Sequence, residues 1–179
     1  MQAWNVVVTV REQAFSRAMK LLQPFGQVHR TEFFNVLVLE VPDTEQFVQQ
    51  LRQLAATDAS ISDILARVVP ATRTLTFQSP EEFENKARQI VSEWLPALAA
   101  KSFHVRMHRR GFKGRLSSQH EEGFLDHYLL TSLEEQHVPG RISFEDPDFI
   151  VSVETVGQRA GLSCWSREDR ARYPFLGLD

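Results

Sequence analysis

Residues 5–10, Asn-Val-Val-Val-Thr-Val, are a short β-branched run and predict a strand. From Arg11 to Leu22 the apolar positions shift to helical spacing, at Phe15, Ala18, Met19 and Leu22. Pro24-Phe25-Gly26 ends that helix, because proline cannot continue it and glycine relaxes the turn. Gln27–Arg30 and Phe33–Val41 read as a pair of strands, the second apolar at nearly every position and hence central in its sheet. Asp43 is placed to cap the next helix, with Gln46 three residues on and Phe47, Leu51 and Leu54 as the buried stripe. Ile64–Thr76 returns to strand character, with Pro70 marking an edge or a break.

A second series of elements opens at Ser79-Pro80-Glu81-Glu82, which combines an N-cap serine, a proline at the first helical position and a capping-box glutamate. Phe83, Ala87, Ile90, Val91, Trp94 and Leu98 supply one helical face, and Pro96 is expected to kink the helix or divide it. In Phe103–Arg109 the pattern becomes strict alternation. Phe103, Val105 and Met107 face one way; His104, Arg106 and His108 face the other. A loop over Gly111-Phe112-Lys113-Gly114 leads to a helix capped by Ser118, with Glu121 completing a capping box and Leu125, Tyr128, Leu129 and Leu133 inward. Phe149–Val156 and Gln158–Ser166 form a strand pair around Gly157. The apolar segment Tyr173-Pro174-Phe175-Leu176 is expected to dock against the body of the protein.

The first series, β-α-β-β-α-β, is the ferredoxin-like plan. The second runs α-α-β-α-β-β. The expected class is therefore α+β, with domains over residues 1–77 and 78–179. The 179 residues are 42% apolar and 24% charged, an ordinary globular composition that excludes a long disordered tail. No apolar run reaches the roughly 20 residues of a membrane span, and no leader peptide is evident at the N-terminus. The single cysteine, Cys164, cannot form an internal disulfide and lies in a predicted strand as a buried, inert thiol. A reducing, cytoplasmic location is expected.

The net charge is −3, but it is unevenly spread. Residues 101–115 hold six lysines and arginines and no acid, whereas residues 116–179 hold twelve acids against five bases. A short basic segment embedded in an acidic chain can focus a field on a polyanion. Arg106, His108, Arg109 and Arg110 end a strand. Gly111 and Gly114 bracket a loop bearing Phe112 and Lys113, and Arg115 follows. Arginine offers bidentate phosphate contacts, lysine a point charge, and glycine lets backbone approach a phosphate. Phe112 either stacks on a base or tucks into the core.

Nucleotide-binding glycine fingerprints, the Walker A motif and the nucleophile elbow are absent from the sequence. His104 and His108 are separated by about 13 Å on a strand, too far for one ion. Neither a metal nor another cofactor is expected, and the paired glutamates read as exposed helix residues.

Residues 80–179 resemble the THUMP domain, an RNA-binding module of tRNA-modifying systems. The resemblance rests on Phe103-x-Val105-Arg106-x-x-Arg109-Arg110, the helix after Ser118, and Asp146-Pro147-Asp148-Phe149-Ile150-Val151-x-Val153-Glu154. Gly157, Ala160-Gly161-Leu162-Ser163 and Arg172-Tyr173-Pro174-Phe175 also fit. It implies a THUMP-like ααβαββ domain preceded by a ferredoxin-like one, gripping the acceptor stem and 3′ end of tRNA. Because the sequence holds no catalytic domain after Asp179, the resemblance is to a stand-alone, non-catalytic adaptor. Such an adaptor presents tRNA to a separate modification enzyme such as a cytidine acetyltransferase. The expected RNA contacts are Lys101, Arg106, His108, Arg109, Arg110, Lys113 and Arg115. Two other readings compete with this one. The first is a protein-interaction or scaffolding subunit without direct RNA binding. The second is an enzyme with a site around His120, Glu121, Asp126 and His127.

Overall fold

The computed structural model describes residues 3–178. Two compact units emerge, one formed by the chain up to Thr72 together with Ala171–Gly177, the other by Arg73–Arg170 together with Leu178. The molecule is thus a mixed α+β protein with two sheets.

In the first unit β1 (Val6–Val10), α1 (Phe15–Leu22), β2 (Gln27–Arg30), β3 (Val36–Glu40), α2 (Thr44–Thr57), the single turn α3 (Ile61–Ile64) and β4 (Leu65–Pro70) follow in that order. The sheet runs β2-β3-β1-β4, antiparallel throughout. Asp43 caps α2 as expected, its carboxylate accepting from the Gln46 amide at 3.1 Å. Helix α1 starts at Phe15 rather than Arg11, because Gln13 turns the chain at φ 63°. Strand β3 starts at Val36 rather than Phe33. The Thr31 hydroxyl accepts from the Phe33 amide and donates to the Val36 carbonyl, and Asn35 turns at φ 57°, so Phe34 is left exposed in the connection. Gly26 lies so close to β3 that a Cβ there would sit 2.0 Å from the Glu40 carbonyl oxygen.

The expected single strand over 64–76 is two strands in different sheets. Pro70 closes β4 opposite Val6, and β5 (Arg73–Thr76) pairs instead with β9 (Arg159–Ser166) of the second unit. The unit boundary accordingly falls after Thr72 rather than after Phe77. The docking segment is a 3-10 turn, Pro174–Leu176, packed on β4. Leu176 is buried there, and Arg67 Nε donates to the Gly177 carbonyl at 2.7 Å. Residues 171–177 therefore belong with the first unit, although they follow the second in sequence.

The second unit adds α4 (Pro80–Val91), a 3-10 turn (Ser92–Trp94), α5 (Leu95–Leu98), β6 (Ser102–His108), α6 (Ser118–Glu135), β7 (Arg141–Ile142), β8 (Phe149–Val156), and the start of α7 (Arg167–Arg172). Its sheet order is β5-β9-β8-β6-β7, with β6 parallel to both β7 and β8. The expected helix division occurs just before Pro96, and the predicted Ser79 cap accepts from the Glu82 amide at 3.1 Å. Phe83, Phe103, Leu125 and Val151 meet in a core between the helices and the sheet.

The Asp146-Pro147-Asp148 stretch is a structural tie. One Asp148 oxygen accepts from the Ser102 amide (2.9 Å) and hydroxyl (3.0 Å), and the other accepts from Arg167 at 3.1 Å. Ser102 Oγ in turn accepts from the Asp148 amide. The starts of β6, β8 and α7 are joined at one point. These hydrogen bonds, chiefly those from Ser102, hold the Asp148 carboxyl down at about 2. Among the described residues no helix is long and apolar enough to cross a membrane.

Candidate nucleic-acid interface

Strand β6 carries the chain from the core to the basic segment. Phe103, Val105 and Met107 are buried, as the alternation predicts. The opposite face is not uniformly open: His104 is buried, with its ring against the exposed Phe144 (centroids 5.3 Å apart). Beyond Ile142 the strand β7 no longer covers β6, and α6 supplies the missing acceptors. Asp126 accepts from the Val105 amide at 2.9 Å, and Glu122 from the Met107 amide at 2.8 Å. Burial raises the Asp126 carboxyl to about 7, against the lowering effect of the Val105 bond. Arg106 Nη1 lies 3.8 Å from Glu122, so part of its charge is answered within the chain.

Two further expected RNA contacts, His108 and Arg110, share a buried internal partner. Glu154, buried on β8, stands opposite His108 in the parallel register. His108 Nδ1 is 3.3 Å and Arg110 Nη1 3.5 Å from its Oε2, and the Arg110 side chain is only 13% exposed. The Arg110 backbone is fixed as well, its amide donating to Thr155 Oγ1 and its carbonyl accepting from the Gly157 amide. Buried charges need such pairing. Residues 108, 110 and 154 therefore form a counter-ion cluster inside the unit. Sequence reading missed Glu154, although an acid inside the apolar run 149–156 is a signal that it needs a cationic partner.

The loop after β6 turns through three left-handed positions, Gly111 (φ 98°), Phe112 (φ 55°) and Gly114 (φ 78°). The Phe112 carbonyl accepts from the amides of Arg115 and Leu116. Phe112 takes the core alternative. Its ring packs on Phe77 with centroids 5.0 Å apart, and the Arg115 guanidinium lies 4.6 Å above it while donating to the Gln78 carbonyl. Arg109 donates to the Gly111 carbonyl. Lys113 and Arg115 are exposed on the loop, Arg109 is half-buried beside them, and Arg106 is on the strand leading in. Lys101 is exposed but precedes the other end of β6, on the order of 25 Å away along the strand. The structure thus gathers Arg106, Arg109, Lys113 and Arg115, sets His108 and Arg110 on Glu154, and leaves Lys101 apart.

Helix α6 begins directly after the loop. Its cap is Ser117, whose hydroxyl accepts from the His120 amide at 3.2 Å, and not Ser118. That shift of one residue places Glu121 outside the capping box and turns it inward, where it is buried rather than exposed. Glu84 of α4 and His120 stand beside it, whereas His127 is exposed farther along the helix. Cys164 lies on β9, half-buried rather than buried, and burial pushes its thiol up to about 12.

No protein-family model and no curated protein sequence matches the chain. Solved structures do match. PH1313 from Pyrococcus horikoshii Ot3 aligns over 90% of this chain and 54% of its own length, at TM-score 0.61 and 13% identity. TrmN from Thermus thermophilus aligns over 90% of this chain and 44% of its own, at TM-score 0.58 and 16% identity. A 4-thiouridine synthetase in complex with RNA and ATP aligns over 92% of this chain and 42% of its own, at TM-score 0.55 and 13% identity. The chain therefore shares its fold with about half, or less, of each of these longer proteins.

Proposed function

We propose that this chain is a tRNA-binding module, a ferredoxin-like unit followed by a THUMP-like unit, that holds the acceptor stem and 3′ end for a modification reaction. The observation that carries the reading is the fold shared over 92% of the chain with a 4-thiouridine synthetase solved with RNA. The basic loop over residues 109–115 supports it from the residue side. Chemistry is assigned to a separate modification enzyme, of which a cytidine acetyltransferase is one candidate, and the cytoplasm is the proposed compartment.

Arg106, Arg109, Lys113 and Arg115 contact phosphates in this reading and so supply affinity without sequence information. Selectivity comes from the shape of the stem and its single-stranded end. About four phosphate contacts predict that log affinity falls with log salt at a slope of roughly −3. Fluorescence anisotropy of the protein titrated onto full tRNA, and onto tRNA lacking its 3′-terminal nucleotides, over a salt series, tests this. Salt-dependent binding weakened by the truncation is expected. Absence of binding to both RNAs at low salt overturns the proposal.

A further inference from the structure

Helices α4 and α6 pack together in the second unit, and their contact holds three side chains that RNA binding does not use. Glu121 of α6 has a side chain only 2% exposed, and its Oε2 is buried without a hydrogen-bond partner. Glu84 of α4 faces it. His120 Nε2 lies 3.6 Å from Glu84 Oε1 and 4.0 Å from Glu121 Oε1, and one ligand atom from each residue falls within 4.8 Å of the others. Among the described residues no lysine or arginine pairs with either carboxylate, and His120 is itself largely exposed. Two adjacent carboxylates, one of them buried, thus lack a cation of matching charge. That arrangement is strongly unfavourable unless something neutralises it.

We propose that Glu84, His120 and Glu121 form a zinc(II) site that clamps α4 to α6, with a fourth position open to water. The two carboxylates balance the charge of a divalent ion, and the buried Glu121 carboxylate gains the cationic partner that no lysine or arginine supplies. The geometry is close to what zinc requires. Bonds of about 2.0–2.2 Å in a tetrahedron give ligand-to-ligand edges of roughly 3.4 Å, so the two His120 edges of 3.6 and 4.0 Å and a Glu84–Glu121 edge within 4.8 Å close by rotamer adjustment of the glutamates. The imidazole selects zinc over calcium or magnesium, which prefer all-oxygen shells.

The test is isothermal titration of zinc chloride into the tag-free full chain, with thermal unfolding in zinc and in a chelator. One saturable zinc per chain and a melting temperature several degrees higher in zinc are expected. His120→Ala and Glu84→Gln, both at partly exposed side chains, are expected to weaken zinc binding about tenfold or more, and His127→Ala to leave it unchanged. Cobalt(II) should give the absorption of a tetrahedral centre in the wild type and lose it in His120→Ala. No saturable uptake overturns the proposal, as does equal affinity in His120→Ala or equal losses in His120→Ala and His127→Ala. If the wild type takes no zinc while Glu121→Gln is more stable than the wild type, the two carboxyls share a proton and the zinc assignment is wrong.

Discussion

At the scale of single residues, two neighbouring cations have opposite roles. Arg110 faces the buried Glu154, whereas Lys113 stands in solvent on the loop. Arg110→Ala leaves Glu154 without its guanidinium and should cost about 3 kcal/mol, read from urea unfolding. Lys113→Ala should stay within about 0.5 kcal/mol of the wild type in the same experiment and weaken tRNA binding in the anisotropy titration. Two carboxyls shape the pH profile in opposite directions. Asp148 is held at about 2 in the folded chain, below its ordinary value, so its contribution is complete above pH ~4 and is lost as pH falls toward 2. Asp126 is raised to about 7, so the folded state binds the extra proton and stability declines as pH climbs from about 4 toward 7. Asp126→Asn keeps an acceptor for the Val105 amide and should remove that decline, which thermal melts at pH 5 and pH 7.5 would reveal.

At the scale of elements, caps and close approaches set the boundaries. Ser117→Ala removes the acceptor for the His120 amide and should lower stability by about 1 kcal/mol, while Ser118→Ala should have little effect. Gly26→Ala places a methyl group against the Glu40 carbonyl and should separate β3 from the turn before β2, lowering the melting temperature. Such elements were largely legible in the sequence, because strands and helices announce themselves through local periodicity. The burial of Phe103, Val105 and Met107 follows from alternation alone. The destination of the opposite face does not, since His108 is matched to Glu154, which lies on another strand. The same reason hides the tie between Ser102 and Asp148. The Phe33-Phe34 pair misleads because its apolar character suggests strand, while the Thr31 hydroxyl bonds favour a turn. The basic segment was visible as a charge run, but the division between paired and exposed cations depends on contacts that no local pattern encodes.

At the scale of the whole molecule, the first unit is discontinuous in sequence. Its sheet is formed before Thr72, yet Leu176 and Gly177 pack on β4 from beyond the second unit. Removal of residues 171–179 should therefore raise hydrogen exchange in β4, around Val68 and Val69, more than in β8. Equal exchange in the two strands would show that the docked turn contributes nothing to β4. This connectivity also bears on the order in which the protein matures during translation. Nearly all of the second unit, residues 73–170, is contiguous, so its sheet can pair as soon as it leaves the ribosome. The earlier-synthesised sheet waits, with part of β4 uncovered, until the segment around Leu176 emerges. The sheet that is made first is thus among the last parts of the molecule to be finished.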